Sequence, residues 1–228
     1  MTTMENANLD DLARSIVGFF PTLDLLEQRL SVELYRLLAE GQPVPRAKLA
    51  ERLGILVENV NQILDRWPGV FTDAQRHVVG YWGLSLPAAY ASPHQFTIAG
   101  RTLSAWCAWD TLFLPQLLGK IAEIESASPE GRPICLTVTP DLVVRLEPIA
   151  AQMSFILPDY PGVQKDVLAT FCHFVHFFPS RPTAEMWLAR HPGTFNISVH
   201  EAHVVARLRN EAQYGGVLVK SAYGRAES

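Results

Sequence analysis

The sequence predicts an α+β protein. Residues 1–85 read as an N-terminal helical, winged-helix-like domain, and residues 86–228 as a mixed domain of helices and short, mainly antiparallel strands. Three observations predict this. Leucines recur every three or four residues through the first forty positions. A helix-turn-helix pattern with glycine at its turn follows. Beyond it, short strand-like runs alternate with Gly-, Pro- and Ser-rich turns.

In chain order, Leu9, Leu12, Ala13 and Ile16 form one apolar face. Pro21 interrupts it, and Leu23, Leu26, Leu30, Leu34 and Leu37 resume it until Gly41 and Pro43. A short helix ending at Leu49 and Leu53, a turn at Gly54 and a helix over Val57 to Trp67 make the helix-turn-helix. Val70–Phe71 and Val78–Trp82 are expected to form a small wing around Asp73 to Arg76. Leu84 to Ser92 reads as the crossover between domains. Gln95–Ile98 and Arg101–Leu103 flank Ala99-Gly100, a hairpin signal. A helix carrying Cys107 is expected to run on to Gly119, with Ser104 as its N-cap. Strands are expected at Ile121–Ser126 and Ile134–Val138, and Ile149–Leu157 is an apolar run ending at Pro158. A helix should begin at Asp166, and His173 to Phe178 should be strand or close-packed turn. Thr183–His191 reads as a helix with Thr183 as N-cap, Thr194–Val199 as a strand and Glu201–Ala212 as a helix. The tail, Tyr214 to Ser228, is expected to fray.

Hydrophobic residues are 48% of the 228 and charged residues 18%, enough for a substantial core. The formal net charge of −4 gives no reason to expect nucleic acid or an anionic membrane as partner. Residues 1–85 hold eight Lys/Arg against eleven Asp/Glu, and the would-be recognition helix sets Glu58 and Asp65 against Arg66. The helix-turn-helix is therefore expected to cap the second domain and cover its site rather than read DNA. The opening MTTMENANLDD is polar and acidic, not the pattern of a signal peptide. No run of 18 apolar residues marks a membrane span. Cys107, Cys135 and Cys172 are too scattered for a disulfide framework, so a cytoplasmic, reduced protein is expected.

The chemistry concentrates in RTLSAWCAWDTLFLPQLLG (101–119) and FCHFVHFF (171–178). On a helix, Cys107 and Asp110 would share a face. A cysteine in a first helical turn is a better thiolate because the dipole favours the anion. A lone cysteine in an apolar segment is ordinarily a small core residue. Asp110 in an apolar helix is harder to explain so, because an unpaired buried carboxylate is costly. Two thiols and an acid in greasy surroundings suit a soft metal arriving on an apolar carrier. Trp106, Trp109 and Phe171 are candidate walls for such a pocket, and Cys135 reads as structural. Cys172-x3-His176, with Cys107 or Asp110, also offers ligand types for zinc, though without a CxxC.

These segments, with LTVTP (136–140), PTAEMW (182–187) and SVHEA (198–202), resemble the bacterial organomercurial lyase (alkylmercury lyase) family over roughly residues 25 to 205. The resemblance implies carbon–mercury bond cleavage by protonolysis, giving a hydrocarbon and Hg(II), with Cys107, Cys172 and Asp110 as the catalytic set. It implies that one of the two cysteines captures the organomercurial. Asp110 would take the other thiol's proton and return it to carbon, while Cys107, Cys172 and Asp110 hold the Hg(II) product. It further implies no organic cofactor, excess low-molecular-weight thiol for product release, mercuric reductase as Hg(II) acceptor, and a place in mercury detoxification. Some family members have a second cysteine where this chain has His173. The alternatives from other classes are a metal-responsive helix-turn-helix regulator and a non-catalytic thiol metal-binding protein.

Overall fold

The computed structural model describes residues 6–19, 22–157 and 160–218. Pro21 and Pro158, where a break and a stop are expected, and the tail beyond residue 218 lie outside them; Tyr214, expected to begin the fraying, is instead buried at the end of the last helix with its hydroxyl 3.0 Å from Ser31 Oγ. The chain opens with α1 (Asn6–Val17) and α2 (Leu25–Leu38). Asp24 starts α2 with a capping box: Glu27 N–H donates to its Oδ1 at 2.8 Å, and its own N–H donates to Glu27 Oε2 at 2.9 Å. Next come α3 (Arg46–Leu53) and α4 (Val57–Arg66), with Gly54 between them as expected. The wing is β1 (Val70–Thr72) and β2 (Val78–Tyr81).

The basic side chains of this N-terminal part are largely committed to its own carboxylates. Arg46 and Arg76 both bond Asp65, at 2.6 and 2.9 Å. Arg52 bonds Glu33 at 2.8 Å, Lys48 bonds Glu40 at 2.6 Å, and Arg66 bonds Glu27.

Leu84–Ser85 is not crossover but a strand, β3. Leu84 and Ser85 pair with Tyr81 and Gly80 on one side and with Ala105 and Ser104 on the other, which fixes them in the sheet. Then follow β4 (His94–Ile98) and β5 (Arg101–Ala105), joined at Ala99-Gly100, whose φ values are +49° and +75°. After them come α5 (Asp110–Leu118), β6 (Ala122–Ala127), β7 (Pro133–Val138) and β8 (Val143–Glu147). One antiparallel sheet runs β1-β2-β3-β5-β4-β6-β7-β8, so wing and second-domain strands share a single ladder. Along it Phe96, Ile98, Leu103, Ile124, Ile134, Leu136 and Val138 alternate into the core.

The remainder is β9 (Gln152–Ile156), α6 (Tyr160–Thr170), a 3-10 turn at Cys172–Phe174, β10 (Phe177–Phe178), α7 (Arg181–Leu188), β11 (Thr194–Ser198) and α8 (Val199–Tyr214). A second antiparallel sheet has the order β10-β9-β11. α6 is two helical stretches joined at a kink at Asp166, φ −161°, and the helix expected from Asp166 is the second of them, capped by Asp166 Oδ1 accepting from Ala169 N–H at 3.1 Å. Ser180, not Thr183, is the N-cap of α7; Thr183 sits at the third helical position and completes the capping box. Ser198 and Glu201 form another capping box at the start of α8, which packs on α1 and α5. Among the described residues no helix is long and apolar enough to cross a membrane.

His94 gives the core a pH limit. It is 1% exposed, its Nδ1 lies 2.7 Å from Ser126 Oγ, and burial pulls its pKa down to about 3. A histidine depressed on folding stabilises the native state above its ordinary pKa, and that contribution is lost as pH falls toward the depressed value. His94 alone should therefore remove about 1.4 kcal/mol per pH unit below about pH 6.5. In thermal melts from pH 7 to pH 5 the parent midpoint should fall relative to that of His94→Asn, which keeps a partner for Ser126 and shares with the parent the opposite contribution of buried Asp110.

Candidate active site

Ser104 and Ala105 belong to β5, where Ser104 pairs with Ser85 and Gln95. The expected helix around Cys107 is therefore absent: residues 106–109 are a turn, and the helix starts at Asp110. The sheet ladder claims Ser104 before it can cap, and the WCAW run is buried from all sides rather than along one stripe. Cys107 thus gains nothing from a first helical turn. Its own N–H instead donates to Asp110 Oδ2 at 2.7 Å. Trp106 N–H donates to the Gly83 carbonyl at 3.0 Å, and Ala108 N–H donates to the Val175 carbonyl at 3.2 Å. The last bond fastens the Cys107 turn to the segment carrying Cys172. Ser154 of β9 holds that segment from the far side, its Oγ donating to the Phe174 carbonyl at 2.8 Å and accepting from His176 N–H at 3.0 Å.

The outcome is a triad of ligand atoms from Cys107, Asp110 and Cys172, all within 4.8 Å of one another, with every side chain buried. His173 and His176 do not join it: His173 is exposed, and His176 Nε2 meets the His173 carbonyl oxygen at 2.8 Å. Cys135 is half-buried in β7 opposite Glu125 and Glu147 and lies outside the cluster.

Burial pushes the Asp110 carboxyl up to about 6, while hydrogen bonds from Cys107 and the charge of buried Arg209 hold it from rising further. Arg209 lies over the Phe113 ring, 4.9 Å from its centroid. Burial also pushes the Cys107 thiol well up, aided by its contacts with Cys172 and Asp110. For Cys172 the hydrogen bond from Cys107 is the strongest influence and acts downward; burial and the Asp110 charge together carry it upward overall. Burial thus holds both sulfurs toward the protonated thiol, each influenced by the other and by Asp110.

A cavity of about 10 Å³, room for about one water and partly open to solvent, adjoins the triad. Its walls include Trp106, Trp109 and Phe171, as expected, and also Trp82, Phe113 and Val167. Trp109 is fixed by its Nε1–H donating to the Ala202 carbonyl at 3.2 Å and by edge contacts to Phe155 and Phe171. Tyr90, whose ring lies 6.3 Å from that of Trp106, has its hydroxyl pKa raised by burial and then by Cys172, Cys107 and Asp110.

Sequence reasoning missed Trp82, Gly83, Tyr90 and Arg209. Gly83, at φ +95°, packs its bare Cα against Asp110; a Cβ there would stand 2.5 Å from Oδ1. The Trp82-Gly83 pair at a two-residue turn was the available signal, since glycine is the residue that accepts such a φ.

The alkylmercury lyase family model matches residues 88–209, and a helix-turn-helix domain of alkylmercury lyase matches residues 24–82. An alkylmercury lyase of Staphylococcus epidermidis is 42% identical over 177 residues, 76% of this chain and 78% of that protein. One of Pseudomonas putida is 39% identical over 180 residues, 78% and 82% of the two chains. A solved structure described as the mercury-bound form of MerB2 superposes with a TM-score of 0.67 at 22% identity, covering 91% of this chain and 98% of that one, a likeness of fold. By sequence over most of its length, the chain belongs to the alkylmercury lyase family.

Proposed function

We propose that the protein is an organomercurial lyase that cleaves carbon–mercury bonds by protonolysis, giving a hydrocarbon and Hg(II), with Cys107, Asp110 and Cys172 as its catalytic residues. The observation that carries this reading is the buried thiol–carboxyl–thiol triad beside an aromatic-walled cavity. Mercury(II) is soft and prefers thiolate. One of the two cysteines displaces the thiolate X from R–Hg–X, and X leaves with that cysteine's proton as HX. The other cysteine then passes its proton to Asp110 and bonds the metal. Two sulfurs donating to mercury weaken the carbon–mercury bond, and Asp110 returns the proton to carbon as that bond breaks. The balance is R–Hg–X plus two thiols giving R–H, HX and Hg(II) bridged by two thiolates. A carboxyl near 6 suits both halves of that transfer. Trp106 and Phe171 enclose the organic group.

The same reading assigns release of Hg(II) to exchange with excess low-molecular-weight thiol, hand-over to mercuric reductase, a cytoplasmic location and a domain division after residue 85. The pairing of Arg46, Arg52, Arg66 and Arg76 with carboxylates of their own domain supports a covering role for the N-terminal part rather than DNA reading.

The test is hydrocarbon release from methylmercury or phenylmercury in excess thiol, assayed by gas chromatography. Cys107→Ser and Cys172→Ser should each lower it by roughly 10³-fold or more, with little further loss in the double variant, because groups acting as a unit are not additive. Mercury bound through both cysteines without hydrocarbon release would leave only a metal-binding protein.

A further inference from the structure

Trp82 belongs to the two-residue turn between β2 and β3, yet it lines the cavity beside Asp110 and Cys172. It also lines a second cavity, of about 10 Å³ and so with room for about one water, whose other walls include Leu23, Trp67, Tyr81 and Tyr214. Tyr81 borders only the second cavity and Gly83 only the first, so the chain crosses from one to the other at Trp82. We propose that Trp82 is the specificity-determining partition of the lyase site, setting the largest organic group accepted by closing off the space behind it. This rests on the lyase reading above.

The partition is built in from several directions. Trp82 has φ +27°, a left-handed backbone that tryptophan does not adopt unaided. Its N–H donates to the Gly69 carbonyl at 3.1 Å, and its carbonyl accepts from the buried Tyr35 hydroxyl at 2.8 Å. Its indole lies flat against Gly69, where a Cβ would come within 3.1 Å of the ring. On its other flank Gly83 is pressed against Asp110. A side chain held this firmly, at 7% exposure, cannot swing aside for a bulky group as an exposed rotamer would. Tyr35 and Gly69 come from the N-terminal part, so that part contributes a wall of the site and not a cover alone.

The experiment compares kcat/KM for methylmercury and 1-naphthylmercury, in excess thiol, for the parent protein, Trp82→Ala and Trp82→Phe. Dividing the naphthyl value by the methyl value for each protein removes any general loss of activity. Trp82→Ala should raise this ratio by about tenfold or more over the parent, within the range that pocket size commands, and Trp82→Phe by about threefold. Thermal melts show which variants are folded; if the alanine variant is not, the phenylalanine variant alone decides. An active parent whose ratio is unchanged in the folded variants overturns the proposal while leaving the lyase reading intact. A parent releasing hydrocarbon from neither substrate overturns both.

Discussion

Replacing Asp110 by asparagine is expected to lower hydrocarbon release by about 10² to 10⁴-fold, the usual worth of a positioned acid–base group, and to make the protein more stable at pH 8. The two effects have one cause. Asparagine keeps the oxygen that accepts the Cys107 N–H but carries no proton for carbon. It also removes a charge from a side chain only 5% exposed. Burial carries the carboxyl up to about 6, so its ionised form costs folding about 3 kcal/mol relative to an ordinary carboxyl near 4. The sign is that of a raised pKa: the native state is favoured below about pH 4, and the advantage is lost as pH rises through 6. Denaturant melts of parent and Asp110→Asn should therefore nearly coincide below about pH 4, separate progressively as pH rises to about 6, and keep the full difference above it. A variant less stable than the parent at pH 8 would falsify the assignment of a costly buried carboxylate.

Gly83→Ala should be the most damaging change of a single atom. The new methyl would stand 2.5 Å from Asp110 Oδ1 and 2.6 Å from its Cγ, on a backbone at φ +95°. Left-handed strain adds roughly 1–2 kcal/mol and overpacking roughly 1–3, so a loss of about 3 kcal/mol in stability is expected. If the fold survives, Asp110 must move, and a shift on the order of 1 Å in a catalytic group costs about 10²-fold in rate. Melting and hydrocarbon release measured on the same sample check both; unchanged values in both would remove Gly83 from the site.

Local chemistry was legible in the sequence. The Ala99-Gly100 hairpin, the turn at Gly54 and the leucine spacing of α1 and α2 are each decided within a few residues, and each is present. Ser104 shows where local reasoning stops. It has the credentials of an N-cap, but its backbone is held by Ser85 and Gln95, partners that no window around Cys107 contains. The same limit hid β8, whose short VVRLE run is made a strand by β7. For the site, Cys107 and Asp110 stood out as a thiol and an acid three apart in an apolar run. That Cys172 lies beside them depends on the Ala108–Val175 bond and on Ser154, so only family resemblance could bring it forward. For Trp82 and Gly83 the sequence offered only a turn signal, because they act through backbone shape and close approach, not through a side-chain type that announces chemistry.

The seam of β2, β3 and β5 also bears on how an oxidant meets the thiols. Cys107 follows β5 by two residues, and β5 is flanked by β3, which is flanked in turn by β2 of the wing. The wing therefore cannot hinge away as an independent lid; parting it from the rest means tearing a ladder of backbone hydrogen bonds. Peroxide attacks an accessible thiolate, and both sulfurs here are buried with their ionisation suppressed. With the wing laced into the sheet, the cavity lined by Cys172 is the route by which an oxidant, like a substrate, meets them.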